Sequence, residues 1–271
     1  MSKIAVPISG KTRVFGTIAH PTAHVRAPSL FNPIFAQQQT DAVMVPFDIH
    51  PDGLASAIDA FRYMPNFEGA AVTNPHKMTL AALCDELSPV AKITGAVNAA
   101  RFHEGRIIGE NFDGAGFVAG LQKQNHQLDG KSVLLIGAGG AARAIAYALS
   151  LEPIESLSIY NRTTAKAADL IAAVHEYVPD AKLEVADLDN LSSYDVIINA
   201  TALGLYEDDP LPCPLDDIKA DCLICDIIMI PERTKWLAAA EEKGLACHYG
   251  RHMLDCQLAF IGKFLGAFDS P

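Results

Sequence analysis

The feature that most constrains the fold is the segment 131–163, KSVLLIGAGGAARAIAYALSLEPIESLSIYNRT. An apolar run at 133–136 stops at a glycine cluster, an alanine-rich stretch follows, and a second apolar run ends at Asn161. That order predicts a strand, a glycine turn, a helix and a second strand. The glycines allow a tight turn and a close approach to a pyrophosphate, which the N–H groups at the amino end of the helix stabilise. The alternative is a glycine turn with a purely structural role.

The end of the second strand indicates which dinucleotide binds. NAD sites usually place Asp or Glu there, to accept a hydrogen bond from the ribose 2′-OH. This chain has Asn161 followed by Arg162, so no carboxylate repels a 2′-phosphate and a guanidinium can grip it. We therefore predict an NADP-binding Rossmann domain. The residues predicted to hold the cofactor here are Gly137, Gly139, Gly140, Ala141, Asn161, Arg162, Thr163 and Lys166.

Bulk properties exclude several classes of partner. The 271 residues carry a net charge of −11, which argues against a nucleic acid or an anionic membrane surface as partner. We expect no membrane span and no secretory signal, because the chain has no apolar stretch long enough for either. Cys222 and Cys225 form a CxxC motif inside CLICDIIMI, which is typical of a buried strand. Reduced core cysteines in a cytoplasmic enzyme are favoured over redox or metal chemistry, and no metal is predicted.

The remaining pattern predicts two α/β units with short connections. In the first, apolar runs predict strands at 13–18, 42–48 and 69–75, and helical spacing predicts helices at 28–39 and 51–63. In the second, from about 114 to 248, strands are predicted at 133–136, 157–160, 183–185, 196–199 and 222–228. The segment 252–268 is predicted to form one final helix.

Three polar residues outside the glycine turn could carry chemistry. Lys77 follows a predicted strand where a helix begins, and the positive end of the helix dipole favours the neutral amine needed for proton transfer. The spacing alone favours the alternative, a surface lysine in the first helical turn. Asp113 precedes a glycine, so it could instead be a turn or helix-cap residue. Asn98 is ambiguous in the same way.

Taken together, these segments resemble the shikimate dehydrogenase family along nearly the whole chain. The matching segments, in the family's order, are 72–77 (VTNPHK), 95–98 (GAVN), 109–117 (GENFDGAGF), 137–142 (GAGGAA), 161–163 (NRT) with Lys166, 199–204 (NATALG) and 250–257 (GRHMLDCQ). The resemblance implies an N-terminal substrate-binding catalytic domain (1–113), an NADP-binding Rossmann domain (114–248) and a C-terminal helix (249–271) that packs back on the first domain. It also implies NADP-linked, reversible oxidation of a ring hydroxyl to a ketone, as in aromatic amino acid biosynthesis.

The resemblance assigns roles by motif. It implies that Lys77 and Asp113 are the catalytic pair and that Asn98 and Gln257 contact the substrate. Thr73 would line the substrate pocket. Thr201 and Gly250 would lie on the cofactor side.

The chain departs from the family in the loop that holds the substrate carboxylate. Where the family has Ser-x-Ser-Pro, alignment on Pro28 places Val25 and Ala27 at the serine positions. Counting from Gly16 instead places Thr22 and His24 there, and Arg26 is a further candidate for gripping a carboxylate. Phe112 replaces a threonine of the family, and Met229 replaces a tyrosine.

These departures predict measurable but weak oxidation of shikimate, with another cyclic hydroxy acid as the better substrate. The alternatives are a paralogue acting on quinate or another polyol acid, and a dinucleotide-binding redox sensor with little catalysis. Retention of both Lys77 and Asp113 argues against a sensor. The chain is expected to be a monomer or a homodimer in the cytoplasm.

Overall fold

The computed structural model describes residues 8–23 and 25–268. The chain divides into two compact units, Met1–Phe112 with Leu258–Pro271, and Asp113–Gln257. The division passes through the final helix. Residues up to Gln257 group with the second unit, whereas the family resemblance implies that all of 249–271 packs on the first domain.

Six strands in the described part of the first unit form a mixed sheet of order β2-β1-β3-β5-β6-β4. The strands are β1 (Arg13–Ala19), β2 (Ala42–Asp48), β3 (Phe67–Val72), β4 (Glu86–Leu87), β5 (Ala99–His103) and β6 (Arg106–Glu110). The helices are α1 (Ala27–Gln37), α2 (Leu54–Arg62), α3 (Lys77–Ala81) and α4 (Pro89–Thr94). Strand β1 runs parallel to both β2 and β3, so the carboxyl ends of these three strands lie at one edge of the sheet.

The predicted strands and helices of this unit are present, with shifted ends. Strand β3 stops at Val72 rather than at residue 75, and a 3-10 turn, Pro51–Gly53, precedes α2. The antiparallel hairpin β5–β6 was not predicted. Its two strands are short and are joined by Glu104 and Gly105, both with positive φ, as in the tight two-residue turns of hairpins.

The second unit is a parallel sheet of order β12-β11-β10-β7-β8-β9, counted over the described residues. Its strands are β7 (Ser132–Ile136), β8 (Ser156–Tyr160), β9 (Leu183–Val185), β10 (Val196–Asn199), β11 (Leu223–Asp226) and β12 (Ala246–His248). Its helices are α5 (Asp113–Lys123), α6 (Gly140–Ser150), α7 (Thr164–His175), α8 (Lys235–Glu242) and the start of α9 (Arg251–Leu265). This is the doubly wound Rossmann order, which reverses between β7 and β10, and ligands bind at the carboxyl ends of the strands at that point.

The predicted α/β fold with two sheets is confirmed. Two elements have shifted ends: the strand predicted at 222–228 is Leu223–Asp226, and the helix predicted at 252–268 is Arg251–Leu265. Strand β11 ends because Oδ1 of Asp226 accepts a hydrogen bond from the backbone N–H of Ile228, which turns the chain. Cys222 and Cys225 are fully buried free thiols, and burial raises the pKa of both.

Candidate cofactor and substrate sites

The glycine turn lies at the carboxyl end of β7, at the reversal of strand order. Gly137 has φ +122, and a Cβ built there would lie 2.8 Å from the carbonyl oxygen of Ala200, which follows β10. Only glycine permits this close approach of the two strand ends. Gly139 and Gly140 face open space, since a Cβ on either would meet no heavy atom within 4 Å. Gly139 caps α6 without a side-chain hydrogen bond, so the amino end of the helix presents N–H groups to a phosphate.

The end of β8 presents the residues predicted to select NADP. The side-chain nitrogen Nδ2 of Asn161 donates to the carbonyl oxygen of Thr163 at 2.9 Å, which shapes the turn into α7. Arg162 and Lys166 are exposed, and neither has a carboxylate partner within the residues that the structure describes. Two free cations beside a fixed turn fit a 2′-phosphate. The residues present therefore fit NADP, which would supply a hydride acceptor when bound.

Asn199, Thr201, Asp226 and Thr234 form a hydrogen-bonded network at the carboxyl ends of β10 and β11. The sequence alone did not predict this network. Oδ1 of Asn199 accepts hydrogen bonds from the backbone N–H and the hydroxyl of Thr201, and its Nδ2 donates to Asp226 at 3.2 Å. Asp226 also accepts from the hydroxyl of Thr234, and burial raises the pKa of its carboxyl. Thr201 therefore fixes the loop after β10, next to Gly137 of the glycine turn. The available signal was a polar residue at the end of each of two neighbouring apolar strands.

Gly250, predicted on the cofactor side, lies at the start of α9. A Cβ there would lie 2.5 Å from the carbonyl oxygen of Ile227. The glycine therefore lets the chain leading into α9 pass close to the segment that follows β11.

Asp113 and Gln257 lie together in the second unit. Nε2 of Gln257 donates to Oδ1 of Asp113 at 3.0 Å, and both side chains are buried. Gly116 makes this contact possible, because a Cβ there would lie 2.5 Å from Cγ of Gln257. Gly120, one turn later on α5, lies against the backbone of His252 in the same way. The glycine face of α5 thus lets α9 approach closely enough for Gln257 to orient the carboxylate.

Lys77 and Asn98 lie near each other in the first unit. The backbone N–H of Val97, next to Asn98, donates to the carbonyl oxygen of Lys77 at 3.0 Å. Asn98 is buried, and its Oδ1 accepts from the backbone N–H of Phe112 at 2.9 Å. Thr73 follows β3 directly, and its N–H donates to the carbonyl oxygen of Ile18. Three predicted residues therefore lie at the carboxyl end of β3 and the amino end of β5.

The residues that depart from the family have local roles. Phe112 stacks on Phe260 with ring centroids 5.9 Å apart, so it is part of the packing around the end of α9. Arg26 is exposed at the start of α1, and its carbonyl oxygen accepts from the hydroxyl of Ser29. Val25 is half-buried. His24 lies outside the described residues.

Neither a metal centre nor a membrane helix is found in the part of the chain that the structure describes. No group of three or more His, Cys, Asp or Glu side chains there is arranged to hold a metal ion. No helix within the same residues is both long and apolar enough to cross a bilayer.

The class of protein follows from the second unit: a sheet of this strand order, with an open helix terminus at its reversal point, is typical of dinucleotide-dependent oxidoreductases. Residues 17–100 match the family model of the shikimate dehydrogenase substrate binding domain, and residues 120–206 match that of shikimate / quinate 5-dehydrogenase. A curated relative, shikimate dehydrogenase (NADP(+)) from Desulforamulus reducens, is 35% identical over 97% of this chain and 93% of the relative. The chain belongs to the shikimate dehydrogenase family.

Two solved structures extend the comparison. Shikimate 5-dehydrogenase from Listeria monocytogenes, in complex with shikimate and NAD, is 29% identical with a TM-score of 0.87, covering 99% of this chain and 96% of that one. The 5-ketofructose reductase of Gluconobacter sp. strain CHM43, in a ligand-free form, is 28% identical with a TM-score of 0.84, covering 97% and 96%. The predicted family and its oxidoreductase class are confirmed. The predicted NADP dependence agrees with the name of the curated relative.

Proposed function

We propose that the chain catalyses the reversible, NADP-dependent oxidation of a ring hydroxyl of shikimate or a related cyclic hydroxy acid to a ketone. The observation that carries this proposal is the buried Asp113, oriented by Gln257 through a 3.0 Å hydrogen bond at the start of α5. An oriented carboxylate of this kind is suited to hold a hydroxyl in a fixed direction. Bound NADP would accept the hydride that leaves the ring carbon.

Lys77 takes the hydroxyl proton as the hydride leaves, and Asp113 orients both the hydroxyl and the ammonium group that forms. Asn98 and Thr73 contact the other substituents of the ring. In the reverse direction Lys77 returns the proton to the forming alkoxide. With the proton assigned to Lys77 and the hydride to NADP, the oxidation needs no other acid or base, because the substrate loses only one proton and one hydride.

A second candidate is a polyhydroxylated substrate that has no carboxylate, such as a neutral polyhydroxy ketone. Val25 and Ala27 cannot donate side-chain hydrogen bonds to a carboxylate. The hydroxyl of Thr22, which could have replaced them, donates to Asp48 at 3.1 Å. The similarity to a 5-ketofructose reductase also supports this candidate.

A steady-state assay tests these candidates. We would measure NADPH formation with shikimate and with quinate, NADPH consumption with 5-ketofructose, and each reaction with NAD or NADH in parallel. The proposal predicts turnover of a cyclic hydroxy acid, with NADP preferred. Turnover of the ketose alone would favour the second candidate. Tight NADP binding without turnover of any of the three would contradict catalysis and favour a redox sensor.

We also propose a monomer or a homodimer in a reducing compartment, the cytoplasm. The six free cysteines support this setting. Light scattering of the purified chain tests the oligomeric state, and an assembly larger than a dimer would contradict it.

A further inference from the structure

The loop between β1 and α1 is tied to the end of β2 by one carboxylate, that of Asp48. Nδ1 of His20 lies 2.7 Å from Oδ1 of Asp48. The backbone N–H and the hydroxyl of Thr22 both donate to Oδ2, at 3.0 and 3.1 Å. The hydrogen bond from His20 lowers the pKa of the Asp48 carboxyl, so it is ionised at neutral pH and accepts all three bonds.

The hydrogen bonds continue along the loop toward α1. The backbone N–H of Val25 donates to the carbonyl oxygen of Thr22 at 3.0 Å. Arg26, the next residue, is at the N-cap position of α1, and its carbonyl oxygen accepts from the backbone N–H of Ser29. The position of Asp48 therefore determines where Val25 and Arg26 lie relative to the sheet. His20 is further fixed by an edge contact with the ring of His50, at a centroid distance of 5.3 Å.

This loop lies beside the segment that carries Lys77. The backbone N–H of His20 donates to the carbonyl oxygen of Asn74 at 3.4 Å. The backbone N–H of Thr73 donates to the carbonyl oxygen of Ile18, near the end of β1. All of these groups lie in the first unit, where the parallel strands β1, β2 and β3 end. Ligands bind at the carboxyl ends of parallel strands, so a loop held here faces the substrate.

The exposure of the Asp48 and His20 side chains indicates that their contact contributes little to the stability of the fold. The Asp48 side chain is 47% exposed and that of His20 is 40% exposed. Ion pairs at such exposure contribute little to the free energy of unfolding. The three hydrogen bonds therefore act mainly on the conformation of the loop.

We propose that Asp48 is a positioning residue, which sets the conformation of the β1–α1 loop and thereby the affinity for the substrate and the choice between hydroxy acids. This inference rests on the proposed function. Asp48 acts through Thr22 and His20 and is not itself expected to touch the reacting atoms. In the family, serines of this loop bind the carboxylate of the substrate. Here the hydrogen bonds from the loop to Asp48, at the end of β2, would hold the loop in place instead.

The test compares Asp48→Ala with wild type and with the control Asp59→Ala. Asp59 is also an exposed aspartate of the first unit, on α2, and it takes no part in these hydrogen bonds. Displacement of the loop by about 1 Å predicts a rise of about 10- to 100-fold in the KM for the hydroxy acid. We expect kcat and the KM for NADP to stay within twofold of the wild-type values, and the melting temperature to be unchanged within error. The ratio of kcat/KM for shikimate to kcat/KM for quinate should change.

Two further variants keep the proposal falsifiable if Asp48→Ala folds poorly. Asp48→Asn retains one acceptor oxygen and should give an intermediate KM, and Thr22→Val removes one bond and should raise KM by a smaller factor. An unchanged KM in Asp48→Ala, or equal losses for both substrates and NADP, would overturn the proposal. A wild-type chain without turnover would contradict the proposed function instead, so the two failures are distinguishable.

Discussion

Arg162 lies on the surface just after β8, and no carboxylate of the described chain pairs with it. Its guanidinium can therefore make charge-assisted bonds to a 2′-phosphate, each worth about 1.5–3 kcal/mol. We expect Arg162→Ala to weaken NADP binding by roughly 10- to 150-fold and to leave NAD binding nearly unchanged. Fluorescence titration with both cofactors measures this.

The control for that titration is Arg106→Ala, because Arg106 is also exposed but lies in the first unit, 3.7 Å from Glu86. It should alter neither affinity. Equal losses of NADP and NAD affinity in Arg162→Ala would mean that Arg162 stabilises the turn rather than selecting the phosphate.

We predict that Val25 and Ala27 weaken the binding of a substrate carboxylate. Each missing hydrogen bond to a charged group costs about 1.5–3 kcal/mol, so two could lower kcat/KM for shikimate by roughly 10²- to 10⁴-fold. The double change Val25→Ser with Ala27→Ser should therefore raise kcat/KM for shikimate, as measured in steady state. If wild type already turns over shikimate at an ordinary enzyme's efficiency and the double variant does not differ, this explanation is wrong.

Individual residues could be predicted from the sequence where their proposed roles depend on neighbouring residues in the chain. Asn161 and Arg162 could be assigned because they follow a strand in a recognisable turn. The pairing of Asp113 with Gln257 spans 144 residues, and no local pattern predicts which atoms meet. The tether from Asp48 to Thr22 was missed for the same reason, since it joins the ends of two separate strands.

Among the elements, β12, α9 and the segment after α5 meet at three histidines. His248 is 1% exposed, and neither of its ring nitrogens has a hydrogen-bond partner in the described chain. Its ring centroid lies 5.0 Å from that of His252 and 5.5 Å from that of His126. Burial lowers the pKa of His248 from 6.5 to about 3, with smaller contributions from the other two histidines.

The cluster predicts a stability that depends on pH. Because the folded pKa of His248 is lowered, the unfolded chain binds more protons between about pH 3 and 6.5. The free energy of unfolding therefore rises with pH across that window, by up to about 1.4 kcal/mol per unit for one proton. His248→Phe should flatten this slope in urea unfolding at pH 7.5 and 5.

Other charges near the cluster lie on α9 and after β11. Arg251 lowers the pKa of His252, while Asp255 and Glu232 raise it, and burial outweighs them so that the pKa of His252 is also lowered. The exposed His103 provides the control, and His103→Gln should keep the wild-type slope. Identical slopes in wild type and His248→Phe would show that His248 does not titrate as described.

Strands were predictable where several apolar residues follow one another without interruption. Strands β7 and β10 each contain at least three consecutive apolar residues, so their positions could be predicted from the sequence. The hairpin β5–β6 and the strand β12 were not predicted, because charged residues or histidine interrupt or end their short apolar runs, AARFH, RIIGE and ACH. Helix α9 was predicted as one helix, but its division between the units depends on tertiary contacts alone.

For the whole molecule, the two proposed catalytic residues belong to different units. Lys77 begins α3 in the first unit, and Asp113 begins α5 in the second. Neither unit alone contains both the proton acceptor and the group that orients it. The proposed chemistry therefore predicts that both residues are needed for turnover.

The most direct test is a double-mutant cycle on kcat, with Lys77→Ala, Asp113→Asn and their combination, measured with NADP and the best hydroxy acid. Loss of a proton-transfer group typically lowers kcat by about 10²–10⁴. Residues that act as a unit give non-additive losses, so the double variant should be no slower than the slower single variant, within a few-fold. If Lys77→Ala retains the wild-type kcat and raises only KM, or if the two losses multiply in the double variant, the account of catalysis is contradicted.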